Sequence, residues 1–136
     1  MKKVSAIVVN WNGKDVLSGC LYSLLKQDYE DLEILVVDNG SEDGSQVLVE
    51  NDFPSVQLIE NGENLGFGSA VNKGFQKARG DFFIFLNNDL ALHPDCIRQL
   101  VGLLDSDPAA GAAIPKILYY SESGKDPVVR INSYGV

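Results

Sequence analysis

An α/β fold, with a mainly parallel sheet carrying helices on both faces, is predicted by three features of this 136-residue sequence. Short apolar runs of strand length alternate with longer segments of helical period. Several runs are apolar continuously instead of at every second residue, as expected where both faces of a strand are covered. The intervals between runs hold the helices that parallel neighbours need as crossovers, and such crossovers are right-handed.

The first strand is expected over residues 4–9, an apolar stretch too short for a signal peptide or a membrane span. A helix follows over 14–27, where Val16, Leu17, Cys20, Leu21, Leu24 and Leu25 recur at steps of three and four and make one apolar stripe. The second strand takes 33–37. Gly40-Ser41-Glu42-Asp43 then opens a short helix with its body at 46–51, Ser41 or Asp43 being able to cap its free amides and Pro54 ending it. The third strand is 56–60. The third helix, 68–78, puts Ala70, Val71, Gly74, Phe75 and Ala78 on one side, with Gly80 just past its end. A fourth strand at 82–86 leads to a helix that opens at Pro94 and runs to about Leu104, with Ile97, Leu100, Val101 and Leu104 facing inward. A fifth strand is expected over 112–118. Beyond Tyr119 the chain turns polar and irregular, so we expect one domain over 1–118 and, over 119–136, an irregular segment that starts a region not contained in the chain.

Composition removes several classes. Eleven basic residues against nineteen acidic ones leave a formal net charge of -8, and the basic residues are scattered, which argues against a nucleic-acid footprint. A small anionic ligand is still allowed, because helix N-termini and a metal ion can hold a diphosphate in an acidic protein. Cys20 and Cys96 lie far apart and outside any C-x-x-C pattern, so neither a disulfide framework nor a zinc site is suggested.

In open parallel sheets the ligand crevice lies outside the carboxyl ends of the strands. Those ends are polar here: Asn10-Trp11-Asn12-Gly13, Asp38-Asn39-Gly40-Ser41, Asn61-Gly62-Glu63-Asn64 with Gly66, and Asn87-Asn88-Asp89. Turn chemistry accounts for any one of these loops. It does not account for an aromatic at Trp11 together with two acids at Asp38 and Asp89 on one edge. Asp38 is placed to accept a hydrogen bond from a base N–H or a ribose hydroxyl, or to cap its own turn. The glycine-bearing turn 64–69 enters a helix with its amides exposed, yet it lacks the G-x-G-x-x-G spacing and follows the third strand. Asp89 suits a hard Mg2+ or Mn2+ ion that takes further ligands from water and phosphate, or it caps a strand-ending turn.

Taken in order, the blocks Val8-Val9-Asn10-Trp11-Asn12, Val36-Val37-Asp38-Asn39-Gly40-Ser41-Glu42-Asp43-Gly44, Asn64-Leu65-Gly66-Phe67-Gly68 through Asn72-Lys73-Gly74, and Phe85-Leu86-Asn87-Asn88-Asp89 resemble the family-2 glycosyltransferases. The resemblance covers about Val4 to Leu118. It implies a Rossmann-like GT-A fold, a UDP-, dTDP- or GDP-sugar donor, a divalent cation and inverting transfer to the hydroxyl of a saccharide or lipid-linked acceptor. The blocks look most similar to a rhamnosyltransferase-like branch that builds cell-surface polysaccharides, which implies a cytoplasmic protein that reaches the cytoplasmic membrane face through partners. Carried over by position, Asp38 contacts the nucleobase, Asn10, Trp11 and Asn12 line the nucleoside pocket, and Asn64, Gly66, Asn87 and Asn88 complete the donor site. Asp89 matches the last acid of the D-x-D signature and binds the metal. Asn87 stands where that signature has its first acid, and Val71 stands where many relatives carry Arg.

No residue matches the acceptor-activating carboxylate, which family members place well after the metal motif. The alternative expectation is therefore a nucleotide-sugar-binding module, or a fragment, without the catalytic base. A nucleotidyltransferase would want a basic, glycine-rich loop after Val9, and none is present. A sheet flank left uncovered would favour homo-oligomers.

Overall fold

The structure is a computed structural model that describes residues 1–120 and 127–128. The chain divides into two compact units, Met1–Arg98 and Gln99–Val136. In the first unit, β1 (Val4–Asn10), α1 (Lys14–Leu25), β2 (Leu32–Asp38), α2 (Ser45–Asp52), β3 (Gln57–Glu60), α3 (Phe67–Lys77) and β4 (Phe82–Asn87) follow one another, and α4 (Cys96–Ser106) runs across the unit boundary. The four strands form one sheet of order β3-β2-β1-β4, every pair parallel.

The order dictates which face each helix covers. From β1 the chain steps outward to β2 and β3, then returns past both to place β4 on the far side of β1. Right-handed crossovers in opposite directions put α1 and α2 on one face and α3 on the other. Ala70 of α3 accordingly joins Ile7, Val9, Leu35 and Val37 in one buried cluster. Alternate strand residues point to opposite faces, so Ala6, Val8, Ile34 and Val36 face the other layer, where α1 buries Leu17, Cys20, Leu21 and Leu24. Tyr22 of α1 meets Phe53, just past α2, edge to face at 5.0 Å. With both faces covered, β1 is buried along its whole length.

Gly74 permits the close approach of α3. A Cβ at that position would stand 2.5 Å from Cγ2 of Ile7 and 3.0 Å from Cγ2 of Val37. Any side chain there would lift the helix from the sheet.

Four expectations need correction. The first helix ends at Leu25 and not Gln27, and Val16 and Leu25 are exposed, so the buried stripe is narrower than the apolar pattern. Phe75 is half exposed and pairs with Phe83 at 4.6 Å instead of entering the core. The fourth helix starts at Cys96, with Ile97 and Val101 buried and Leu100 and Leu104 only partly so. The fifth strand is not formed: residues 111–118 belong to no ladder among the described residues. Pro115 interrupts that run and removes a ladder donor from its middle. In the second unit a two-residue β5 (Tyr119–Tyr120) pairs antiparallel with β6 (Pro127–Val128). The rest of the segment expected to be irregular, 121–126 and 129–136, lies outside the described residues.

Candidate functional site

The strand order places a topological switch point at β1, whose neighbours β2 and β4 are reached in opposite directions. Ligands of open α/β sheets bind outside the carboxyl ends at such a point. The register brings the right residues there, since Asn10 lies beside Asp38 and Val9 beside Asn87.

Asn10, fully buried, spans the switch. Its Oδ1 accepts from Asn88 Nδ2 at 2.8 Å, and its Nδ2 donates to Asp38 Oδ1 at 2.9 Å and to Ser41 Oγ at 3.2 Å. Asp38, 1% exposed, accepts four hydrogen bonds. Oδ1 takes those from Asn10 and from Ser41 Oγ at 2.6 Å, and Oδ2 takes those from Ser41 N at 2.8 Å and Gln46 Nε2 at 2.9 Å. A buried carboxylate held by four donors is fully satisfied as a turn-closing group. Gln46 also donates to Ser41 O at 2.7 Å, so one amide from the first turn of α2 clamps the whole 38–41 turn.

Asn12 is a latch. Its amide donates to Ser41 Oγ at 2.8 Å, its Oδ1 accepts from Glu42 N at 2.8 Å, and its φ of 48° is a left-handed conformation that asparagine tolerates better than most residues. Between Asn10 and Asn12, Trp11 is left 56% exposed at the rim. Asp43 ties both helices of this layer, accepting from Lys14 N at 2.8 Å and Ser45 N at 3.0 Å. Gly44, left-handed with a φ of 84°, is the N-cap of α2, and Asp43 just before it accepts from the first helical amide, while Ser41 serves the Asp38 turn.

Asn64 and Gly66 belong to a second network. Asn64 Oδ1 accepts from Gly66 N at 2.9 Å, and Asn39 Nδ2 donates to Gly66 O at 3.2 Å. Asn61 Nδ2 donates to Asn39 Oδ1 at 2.8 Å, while Asn61 Oδ1 is a buried acceptor without a hydrogen-bond partner among the described residues. The loop entering α3 is thus fastened to the end of β2, one residue past Asp38.

Asn87 and Asp89 project differently from Asn88. Asn88 is half-buried and bonded to Asn10, whereas Asn87 and Asp89 are exposed, and the Asp89 carboxylate makes no hydrogen bond or ion pair among the described residues. The described residues gather no group of three His, Cys, Asp or Glu side chains, so they offer no all-protein metal cage. A single free carboxylate beside a neutral amide oxygen does fit a hard cation that keeps waters and takes phosphate oxygens. Behind it, Cys20 Sγ contacts Asn87 O at 3.7 Å; burial first, and the charge of Asp89 second, push its thiol up to about 12. Cys20 is an inert packing group and no nucleophile.

Sequence reasoning named Asn10, Asp38 and Asn88 but missed what links them. Ser41 was visible as a capping candidate and as part of a turn closed by Asp38, and Gln46 carried no signal beyond opening the body of the second helix. The pairing of Asn39 with Asn61 could have been found from the register, because Asp38 lies beside Glu60.

Fold and site together define an α/β protein whose polar strand ends meet at the switch point, with the Asp89 carboxylate exposed beside them. The sequence matches the family described as glycosyl transferase family 2 over residues 5–133, and the chain belongs to that family. It is 34% identical over 104 residues to EpsH of Bacillus subtilis (strain 168), covering 72% of this chain and 29% of that protein. It is 35% identical over 112 residues to the succinoglycan biosynthesis protein ExoO of Rhizobium meliloti (strain 1021), covering 82% and 31%. The chain thus spans about a third of the length of these relatives. Among solved structures, the mannosyltransferase PcManGT of Pyrobaculum calidifontis, in complex with GDP-Man and Mn2+, superposes with a TM-score of 0.75 at 28% identity, over 81% of this chain and 34% of that one. TarS of S. aureus in complex with UDP-GlcNAc shares the fold, with a TM-score of 0.72 at 23% identity over 88% and 38%. No helix among the described residues is long and apolar enough to cross a membrane.

Proposed function

We propose that this chain binds the nucleoside-diphosphate-sugar donor, with Mg2+ or Mn2+, for inverting glycosyl transfer to an acceptor hydroxyl. The observation that carries the reading is the bridge from Asn88 through Asn10 to Asp38, which ties the carboxyl ends of β4, β1 and β2 together at the switch point while Asp89, one residue past Asn88, stays exposed. In this reading the base lies over the Asp38 turn with Trp11 at its side. Asn12, Asn64 and Gly66 face the nucleoside and sugar, and Asn87 with Asn88 adds neutral oxygens beside the diphosphate. A cation at Asp89 would neutralise the departing diphosphate as the hydroxyl attacks the anomeric carbon. The acceptor proton goes to a base outside the residues named here.

The finer assignment rests on resemblance. A role in polysaccharide synthesis is supported by the succinoglycan relative, whereas the rhamnosyltransferase-like branch rests on the sequence blocks alone and the cytoplasmic membrane face is proposed with it. Donors carrying UDP, dTDP or GDP all suit a pocket defined by a carboxylate and asparagines.

Calorimetry of the chain with UDP, dTDP and GDP, each with and without Mn2+, tests the reading. At least one nucleotide should bind more tightly with metal, and Asp89→Ala should remove that gain while leaving the metal-free affinity in place. Metal-independent or absent binding for all three overturns it.

A further inference from the structure

The segment that follows Asp89 is held by the C-terminal end of α1 and the residues just past it. Gln27, half-buried two residues past the end of α1 with its backbone amide still bonded to Leu24 O, uses its whole side-chain amide for this. Nε2 donates to His93 O at 2.8 Å and back to Ser23 O at 3.0 Å, while Oε1 accepts from Ile97 N at 3.1 Å, supplying a partner to a free amide in the first turn of α4. Ser23 adds a second tie, its Oγ donating to Cys20 O at 2.7 Å and accepting from Leu92 N at 3.0 Å. Asp28 N donates to Pro94 O at 2.8 Å, and the Asp28 carboxylate accepts from Arg98 Nε at 2.9 Å. On the other side, Asn88 is fixed by Asn10. Only Asp89, Leu90 and Ala91 lie between the two anchored ends, so their path is determined by where the ends are held.

We infer that Gln27, seconded by Ser23, is the positioning residue for the metal-binding loop: the C-terminal turn of α1 sets the height at which the Asp89 carboxylate meets a cation. This rests on the reading of Asp89 given above. Gln27 touches neither the crevice nor a ligand. Its effect travels through backbone groups of the loop, because a carboxylate that supplies one of a hard cation's few protein ligands loses affinity when displaced by a fraction of an ångström.

The near-isosteric Gln27→Met removes all three side-chain hydrogen bonds, and Ser23→Ala is the milder variant should the first unfold. In the full 136-residue chain, nucleotide affinity is measured with and without Mn2+, together with amide hydrogen exchange at Leu92 and Ile97. Gln27→Met should cut the metal-dependent gain about tenfold and Ser23→Ala less, both with metal-free affinity within twofold of wild type. Exchange should accelerate at Leu92 and Ile97 and not along β1, and Ser23→Thr, which keeps the hydroxyl, should restore the gain. A wild-type metal gain in folded Gln27→Met overturns the inference. Absence of any metal gain in the wild type is instead failure of the Asp89 reading, and unchanged exchange at both amides in Gln27→Met then overturns the loop restraint as well.

Discussion

Asp38 supports two roles, and separating them requires attention to what its removal leaves behind. Its two oxygens satisfy Asn10 Nδ2, Ser41 N, Ser41 Oγ and Gln46 Nε2 in a site closed to water. Asp38→Ala strands four donors at once, and buried unpaired groups cost about 1–3 kcal/mol each before relaxation. We expect a urea unfolding free energy lowered by about 3 kcal/mol or more, with an unchanged m-value, and an unaltered midpoint would contradict the network. Loss of nucleotide binding in that variant consequently reports a collapsed turn as much as a lost contact. Asp89, by contrast, makes no hydrogen bond or ion pair among the described residues, so its replacement should leave the hydrogen-bond network intact and, on the reading proposed above, change metal binding. The sequence displayed both acids at strand ends and separated them by expected ligand, nucleoside for Asp38 and metal for Asp89, but not by burial. Their difference in burial comes from neighbours such as Gln46 and Ser41, which reach Asp38 only after α2 has packed.

At the scale of elements, the prediction belongs to α3. Gly74→Ala places a methyl 2.5 Å from Ile7 Cγ2, on the best-buried strand of the sheet. Overpacking of a well-filled core costs about 1–3 kcal/mol, and thermal unfolding should fall accordingly. Gly68→Ala in the same helix meets open space and gains helix propensity, so a neutral or raised melting temperature is expected there. Equal effects at both glycines would refute the close-packing account. Strands and helices of the first unit were legible from periodicity because each repeats one face over several turns or pleats. The apolar stripe of α1 was overread by Val16 and Leu25, since periodicity records which residues can be buried and not how wide the covering layer is. The run at 112–118 was overread for a related reason: a strand exists only where a partner completes its ladder, and no local pattern supplies one.

For the molecule as a whole, carboxylates that fasten separate segments make stability depend on pH. Burial raises the Glu33 pKa, but hydrogen bonds from Ser5 Oγ and Arg79 N and the charge of Lys3 outweigh it and hold the carboxyl below its ordinary 4.5. For Asp43, burial is the largest single influence and raises the pKa, but hydrogen bonds from Ser45 and Lys14 together outweigh it and lower the pKa from 3.8. A depressed pKa in the folded state means that the unfolded chain takes up protons first as pH falls. Both contributions are therefore complete above the ordinary carboxylate values and vanish as pH drops through the folded ones. Melting temperature should be flat from pH 7 to about 5 and then decline, and Glu33→Gln should soften the decline while costing about 1 kcal/mol at pH 7. An acid limb as steep in Glu33→Gln as in wild type would exclude this origin.

The sequence by itself determined the alternation of strands and helices, the polar strand ends and the family, because these depend on local propensity and on the order of short blocks. It also placed Asn10, Asp38, Asn88 and Asp89 at the ends of their strands. Only the tertiary structure decided that β4 lies beside β1, so that Asn88 reaches Asn10 across the switch point. The packing of α1 against the loop after β4 likewise decided that Gln27, beyond the end of its helix, holds the segment bearing Asp89. The physical reason is the same in both cases: a hydrogen bond between residues some seventy positions apart exists only once crossovers and register have brought its ends together, and neither is encoded in the residues that make it.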